Sequence, residues 1–201
     1  MTETSSRQLE ATSPGVVANA RLTALTGVLL FVLLAAMGIT VLRVQELLPQ
    51  HFFLGFLLIP PLALKMATTG HRFIRYYTGH PAYRLAGPPP LLMRLIAPIV
   101  VLSTAAVFIT GLELWLFGLR FGSEWIDAHR VSFLIWLPAT AAHVLGHLRT
   151  TGRAAAREVT SAGRDALTRR SLVVGGLITG AVLAIATLTF HSPYTYFGDG
   201  G

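Results

Sequence analysis

Five apolar runs, each close to the length of a bilayer-crossing helix, leave this chain few ways to fold. They cover residues 22–42, 52–69, 95–117, 131–148 and 172–190. A helix needs about 20 apolar residues to cross a hydrocarbon core of about 30 Å. The runs are continuous, whereas strands facing lipid on one side and a lumen on the other would alternate. With 53% hydrophobic and only 12% charged residues, the chain is too apolar for a soluble core. The pattern predicts an all-α integral membrane protein of five transmembrane helices in an up-and-down bundle.

A formal charge of +7 could suggest nucleic acid, but the placement of the arginines argues against such a partner. Arg72, Arg75, Arg84 and Arg94 lie between the second and third runs, and Arg149, Arg153, Arg157, Arg164, Arg169 and Arg170 between the fourth and fifth. The opposite side has Arg43, Arg120 and Arg130. By the positive-inside rule both Arg-rich loops are cytoplasmic. The expectation is a multi-pass protein of the plasma or inner membrane, with the N-terminus inside and the C-terminal tail outside. Residues 1–20 read as a disordered cytoplasmic tail, 21–191 as the transmembrane bundle, and 192–201 as a short external tail. Without cysteine, thiolate metal sites and iron–sulfur clusters ligated by this chain are excluded.

The first run has no ionisable residue, and small residues such as Gly27 and Gly38 suit it to close helix packing. In the second, Pro60-Pro61 predicts a kink or partial unwinding. Residues 76–90 read as a loop ordered by prolines and aromatics. Glu113 is the one acid of the third run, and a salt bridge to Arg120 or Arg130 is the expected use, with proton delivery to a quinone as the alternative. Residues 149–170 read as an amphipathic helix on the membrane surface, its arginines free to meet anionic lipid headgroups. Trp115, Trp125, Tyr194 and Tyr196 are placed to form an external aromatic belt.

The informative pattern is a row of histidines. At about 100° per residue, His143 lies about 40° around a helix from His129, and His147 returns to the same face. At about 1.5 Å per residue the row runs about 27 Å, from one side of the hydrocarbon core to the other. On the second run, Lys65 follows His51 by the interval that separates His143 from His129, so those two also share a face. His71 falls about 200° round.

The second and fourth runs cross in the same direction, so depths compare directly. His51 and His129 meet at the outer edge, and Lys65 or His71 faces His143 or His147 at the inner end. Two imidazoles at one depth on neighbouring helices are the arrangement that clamps a haem iron from both sides. On these residues the chain resembles the membrane b-type cytochromes, with haem inside a four-helix bundle, which include ferric-reductase-like and quinone-linked cytochrome b subunits. The resemblance covers the second to fourth runs. It implies haem b between the second and fourth spans, as two haems or one, with His51, His129, His143 and His147 as the iron ligands. The inner haem's second ligand stays open between Lys65 and His71, Lys65 having contact with a haem propionate as its other role. Gly55 and Gly146 suit a flat ring pressed against backbone.

The function so implied is transmembrane electron transfer, as the electron-transfer subunit of an oxidoreductase, between a redox partner protein and quinone or another acceptor. Membrane lipid is the surrounding partner, and a homo-oligomer is compatible with this reading. No flavin, nucleotide or molybdenum motif is present. Two rivals stand beside it. His143-x-x-x-His147 could hold a catalytic metal in a membrane enzyme, or the histidines could relay protons in a transporter or structural subunit. Ordinary packing is the plainer reading of Trp136, and His80 and His191 read as loop residues.

Overall fold

A computed structural model describes residues 13–88 and 90–194. Among these the chain is helical throughout, with no strand. Its helices are α1 (Pro14–Leu42), α2 (Leu48–Tyr77), the single short turn of helix α3 (Pro81–Leu85), α4 (Leu91–Phe117), α5 (Glu124–Val159) and α6 (Arg164–Thr187). The five helices other than α3 are long and apolar enough to cross a membrane. The all-α architecture of five membrane-length helices predicted from the apolar runs is therefore what the chain adopts.

The side chains are sorted as a lipid solvent requires. Many large apolar residues face outward, Leu102 at 70% and Ile39 at 62% exposure among them, while the buried positions include Thr26, Thr40, Ser103, Thr104, Thr110 and Ala184 beside a few large side chains such as Leu58 and Leu114. Lipid is as apolar as leucine, so nothing drives leucine inward; small and hydroxyl-bearing residues let helices approach. Each inward hydroxyl of Thr26, Thr40, Ser103 and Thr110 donates to a carbonyl of its own helix at 2.6–2.9 Å.

Several elements differ from their sequence reading. α1 starts at Pro14, where proline's fixed φ and missing N–H suit a first helical position. Residues 14–20 are thus its opening turns and not a tail; residues 1–12 lie outside the described part. The expected surface helix over 149–170 does not exist as one element. α5 runs on to Val159, giving 36 residues, and α6 begins at Arg164 after the turn at Gly163 (φ 100°). α2 continues as helix through Pro60 and Pro61. The expected loop contains α3, started by Pro81.

The described residues fall into two compact units. One comprises those of Met1–Ala36, Phe56–Pro89 and Arg149–Leu183; the other comprises those of Met37–Gly55, Pro90–Leu148 and Ala184–Gly201.

In the first unit, α6 meets α2 at a pair of glycines one turn apart. A side-chain carbon on Gly176 would stand 3.9 Å from Pro61, and one on Gly180 would overlap the Leu57 carbonyl. Both helical donors for that carbonyl, the amides of residues 60 and 61, are prolines and carry no N–H. The Cα–H groups of Gly180 stand where a donor is missing. The same unit buries Glu158 completely, with Arg169 and Arg21 against it. Arg170 donates to the carbonyls of Glu158, Val159 and Ser161 at 2.6, 3.1 and 2.8 Å, closing the end of α5.

In the second unit, α4 ends at Gly118, whose φ of 59° terminates the helix. A side chain there would meet Pro193 at 3.1 Å, so the returning segment lies directly on the turn. Ser192 Oγ donates to the Trp115 carbonyl at 2.7 Å, Trp115 packs on Phe190, and Tyr194 meets Phe52. Tyr196 lies outside the described residues.

Candidate functional site

His51 lies in the first turn of α2, and His129 in the second turn of α5. Both belong to the second unit. Their ring centroids are 6.4 Å apart and their planes cross at 87°, so the pairing expected from equal depth is present in the structure.

Each imidazole is held from behind by a threonine of another helix. His51 Nδ1 is 3.0 Å from Thr40 Oγ1 of α1, and His129 Nδ1 is 3.0 Å from Thr110 Oγ1 of α4. A hydroxyl has one proton and two acceptor lone pairs. Thr40 gives its proton to the Met37 carbonyl at 2.7 Å, and Thr110 gives its to the Ala106 carbonyl at 2.6 Å. With the hydroxyl protons so placed, each threonine oxygen offers Nδ1 an acceptor, the arrangement that suits the tautomer whose Nε2 carries a lone pair. His129 has the Val107 carbonyl as a second hydrogen-bond partner. Gly111, next to Thr110, leaves room for the ring: a side-chain carbon there would stand 3.0 Å from His129 Cε1.

These residues can be tested against haem. A metal–imidazole bond is about 2 Å and a five-membered ring's centroid lies about 1 Å from its atoms, so two imidazoles on opposite sides of one ion have centroids about 6 Å apart. The observed 6.4 Å matches. Crossed planes are no obstacle, because each ring's plane is set independently about its own metal–nitrogen axis. Two imidazoles from different helices, each with one nitrogen beside a threonine hydroxyl, would suit a metal that receives its remaining ligands from a macrocycle.

The inner residues are arranged differently. His143 and His147 lie one turn apart on α5 with ring centroids 4.8 Å apart, side by side on a single helix. Lys65 and His71 belong to the other unit and have contacts there. Lys65 Nζ donates to the Thr23 carbonyl of α1 at 2.8 Å, over Gly27. The exposed His71 ring stands edge-on to Tyr83 of α3, 5.7 Å between centroids, and His80 meets the same tyrosine.

Three expectations need correction. Glu113 forms no salt bridge with Arg120 or Arg130. Arg130 pairs with Asp127 at 3.8 Å and Arg120 lies over the Phe121 ring, while both Glu113 oxygens are buried without a hydrogen-bond partner among the described residues. Gly55 and Gly146 do not present open backbone for a flat ring, because the Met37 and Met93 side chains lie against them. The first span is not a plain packing helix, since its Thr40 orients His51. Trp136 follows its plainer reading: its indole N–H donates to Thr104 Oγ1 at 2.9 Å, and its ring stacks on Phe133.

Thr40, Thr110 and Gly111 are the site residues that the apolar pattern hides. A threonine inside a transmembrane run reads as a back-bonded packing residue; only the partner helix reveals that its oxygen is shared. Among the described residues no three His, Asp or Glu side chains converge as a metal-ion cluster would require. Compared with known protein families, with curated proteins and with solved structures, the chain matches none.

Proposed function

We propose that this chain is a b-type cytochrome of the membrane, holding haem between His51 and His129 and passing single electrons between a redox partner and quinone or another acceptor. The observation that carries the reading is the facing pair itself. Two imidazoles from two helices stand 6.4 Å apart between centroids, each with its Nδ1 beside a threonine hydroxyl; a metal held between them would meet a separation of this size. Bound haem supplies one-electron ferric–ferrous exchange. The protein would supply two imidazoles from different helices, each steadied at Nδ1 by a threonine of another helix. His143 and His147, which belong to the same unit as this pair, remain candidates to hold a second haem.

The membrane metal-enzyme reading has less support. A catalytic metal held by His143 and His147 needs a third protein ligand, and no cluster of three is found among the described residues. The proton-relay reading has one observation in its favour, the two partnerless oxygens of Glu113.

The reduced-minus-oxidised visible spectrum of purified protein supplied with haem tests the proposal. Sharp b-type bands support it, and their absence from folded, haem-saturated protein overturns it. His51→Ala and His129→Ala should each abolish the outer haem signal. Bands that survive both substitutions would move the haem to His143 or His147, and stoichiometry per chain distinguishes one haem from two.

A further inference from the structure

We propose that Thr40 and Thr110 are the positioning residues of this site: their oxygens fix both histidines in the Nδ1–H form and hold the two ring planes crossed. The inference rests on the haem reading and goes beyond it by assigning the orientation and electronic character of the ligands to two hydroxyls.

Both threonines are buried, at 4% and 7% exposure, and both are tied back to their own helices at 2.7 and 2.6 Å. A β-branched side chain in a helix has few χ1 choices, and for threonine one of them places Oγ1 on the preceding turn's carbonyls. The direction of the oxygen is therefore set by the helix that bears it. Each threonine stands on a different helix from the histidine it contacts, Thr40 on α1 for His51 and Thr110 on α4 for His129. Four helices thus contribute to one pair of ligands.

The hydroxyls act in two ways. First, an acceptor on Nδ1–H makes the opposite nitrogen a better donor to a metal, as outer-shell partners of ligating histidines generally do. A neutral hydroxyl does this less than a carboxylate would. Second, a ring that turns about the axis through its Nε2 swings Nδ1 away from a fixed oxygen, so the hydrogen bond pins the plane. The two planes are pinned at 87° to one another. Crossed axial imidazoles engage the two iron orbitals of π symmetry equally. In the low-spin ferric state that gives an electron paramagnetic resonance spectrum dominated by one large-g feature, whereas parallel rings give a three-line rhombic spectrum.

The test uses full-length protein loaded with haem, comparing wild type with Thr40→Val, Thr110→Val and the corresponding Thr→Ser variants. Wild type should show the large-g ferric signal. Each valine variant should keep b-type bands while binding haem about 10–100-fold more weakly. Its ferric signal should shift toward rhombic and its midpoint potential should rise, because the ligand that lost its acceptor stabilises ferric iron less. Serine should restore both. Valine variants with wild-type resonance and potential overturn the role given to the threonines. Absence of b-type bands from wild-type protein in excess haem overturns the haem reading instead. Should a valine variant not fold, nitrogen-15 resonance of labelled histidine in wild type decides: Nδ1–H at His51 and His129 supports the assignment, and Nε2–H at either overturns it.

Discussion

The guanidinium of Arg169 grips the Glu158 carboxylate with two parallel hydrogen bonds, Nε–H to Oε1 and Nη2–H to Oε2, each 2.9 Å long. Glu158 is fully buried, and Arg21 adds a weaker contact at 3.5 Å. Bidentate geometry is the strong form of such a pair, and it joins the end of α5 to the start of α6.

Removing one partner should therefore matter more than removing both. Arg169→Met leaves a buried carboxylate with Arg21 as its one remaining cation among the described residues and should cost about 3–5 kcal/mol. Arg169→Met combined with Glu158→Leu should cost clearly less than the sum of the single changes. Thermal melting in detergent micelles of the two single variants and the double measures this; simple additivity would show that the pair is not coupled.

Acid should weaken the same joint. Glu158 lies ten residues beyond the apolar run 131–148. Burial alone would push its carboxyl up, but the hydrogen bonds from Arg169 and Ser161 and the charges of Arg169 and Arg21 outweigh it and hold the group below its ordinary value. A carboxyl depressed in the folded state contributes stability that is fully present above its unfolded value, about 4.3, and is lost as pH falls through the lower folded one. The melting-temperature advantage of wild type over Glu158→Gln should be constant near neutrality and shrink below about pH 4. An advantage that grows on acidification would contradict the assignment.

Gly111 should be intolerant of a methyl group. A side-chain carbon there stands 3.0 Å from His129 Cε1, while Gly38 and Gly175 have nothing within 4 Å. Gly111→Ala should displace the imidazole from Thr110 and, on the proposed haem reading, lower haem content after reconstitution. Gly38→Ala and Gly175→Ala should retain haem fully and stabilise their helices by about 0.5–1 kcal/mol. Haem per chain from the pyridine haemochrome separates these outcomes.

Gly180→Ala puts a methyl group onto the Leu57 carbonyl, and overpacking of this kind costs about 1–3 kcal/mol. The Gly175→Ala change on the neighbouring face of α6 provides the control. Equal melting temperatures for the two variants would rule out a close α2–α6 contact at Gly180.

The apolar runs made the helices and their number legible, because twenty apolar residues in succession satisfy few structures other than a membrane helix. The intervals along α2 and α5 likewise placed His51 opposite His129. Periodicity could not show what stands behind a ligand. Thr40 and Thr110 look like any hydroxyls bonded to their own helix, and their second contact exists only through the tertiary fold. The ends of helices were hard for a similar reason. Arg169 and Arg170 read as solvated surface charge, yet one is buried against Glu158 and the other closes α5. The Pro60-Pro61 pair predicts a kink or partial unwinding because it removes two donors, whereas the glycine of a neighbouring helix that covers the exposed carbonyl lies more than a hundred residues away in sequence.

That pairing has a mechanical consequence. Only a residue without a side chain can sit on the Leu57 carbonyl, and the residues between Gly176 and Gly180 are Leu177, Ile178 and Thr179. A slide of α6 along α2 in one direction must carry it a whole turn, about 5.4 Å, before Gly176 comes into place. In the other direction the next small residue of that face is Ala184, which already carries the obstructing methyl. The proline pair and the glycine pair together form a detent: the helix can step between seats, but it cannot glide.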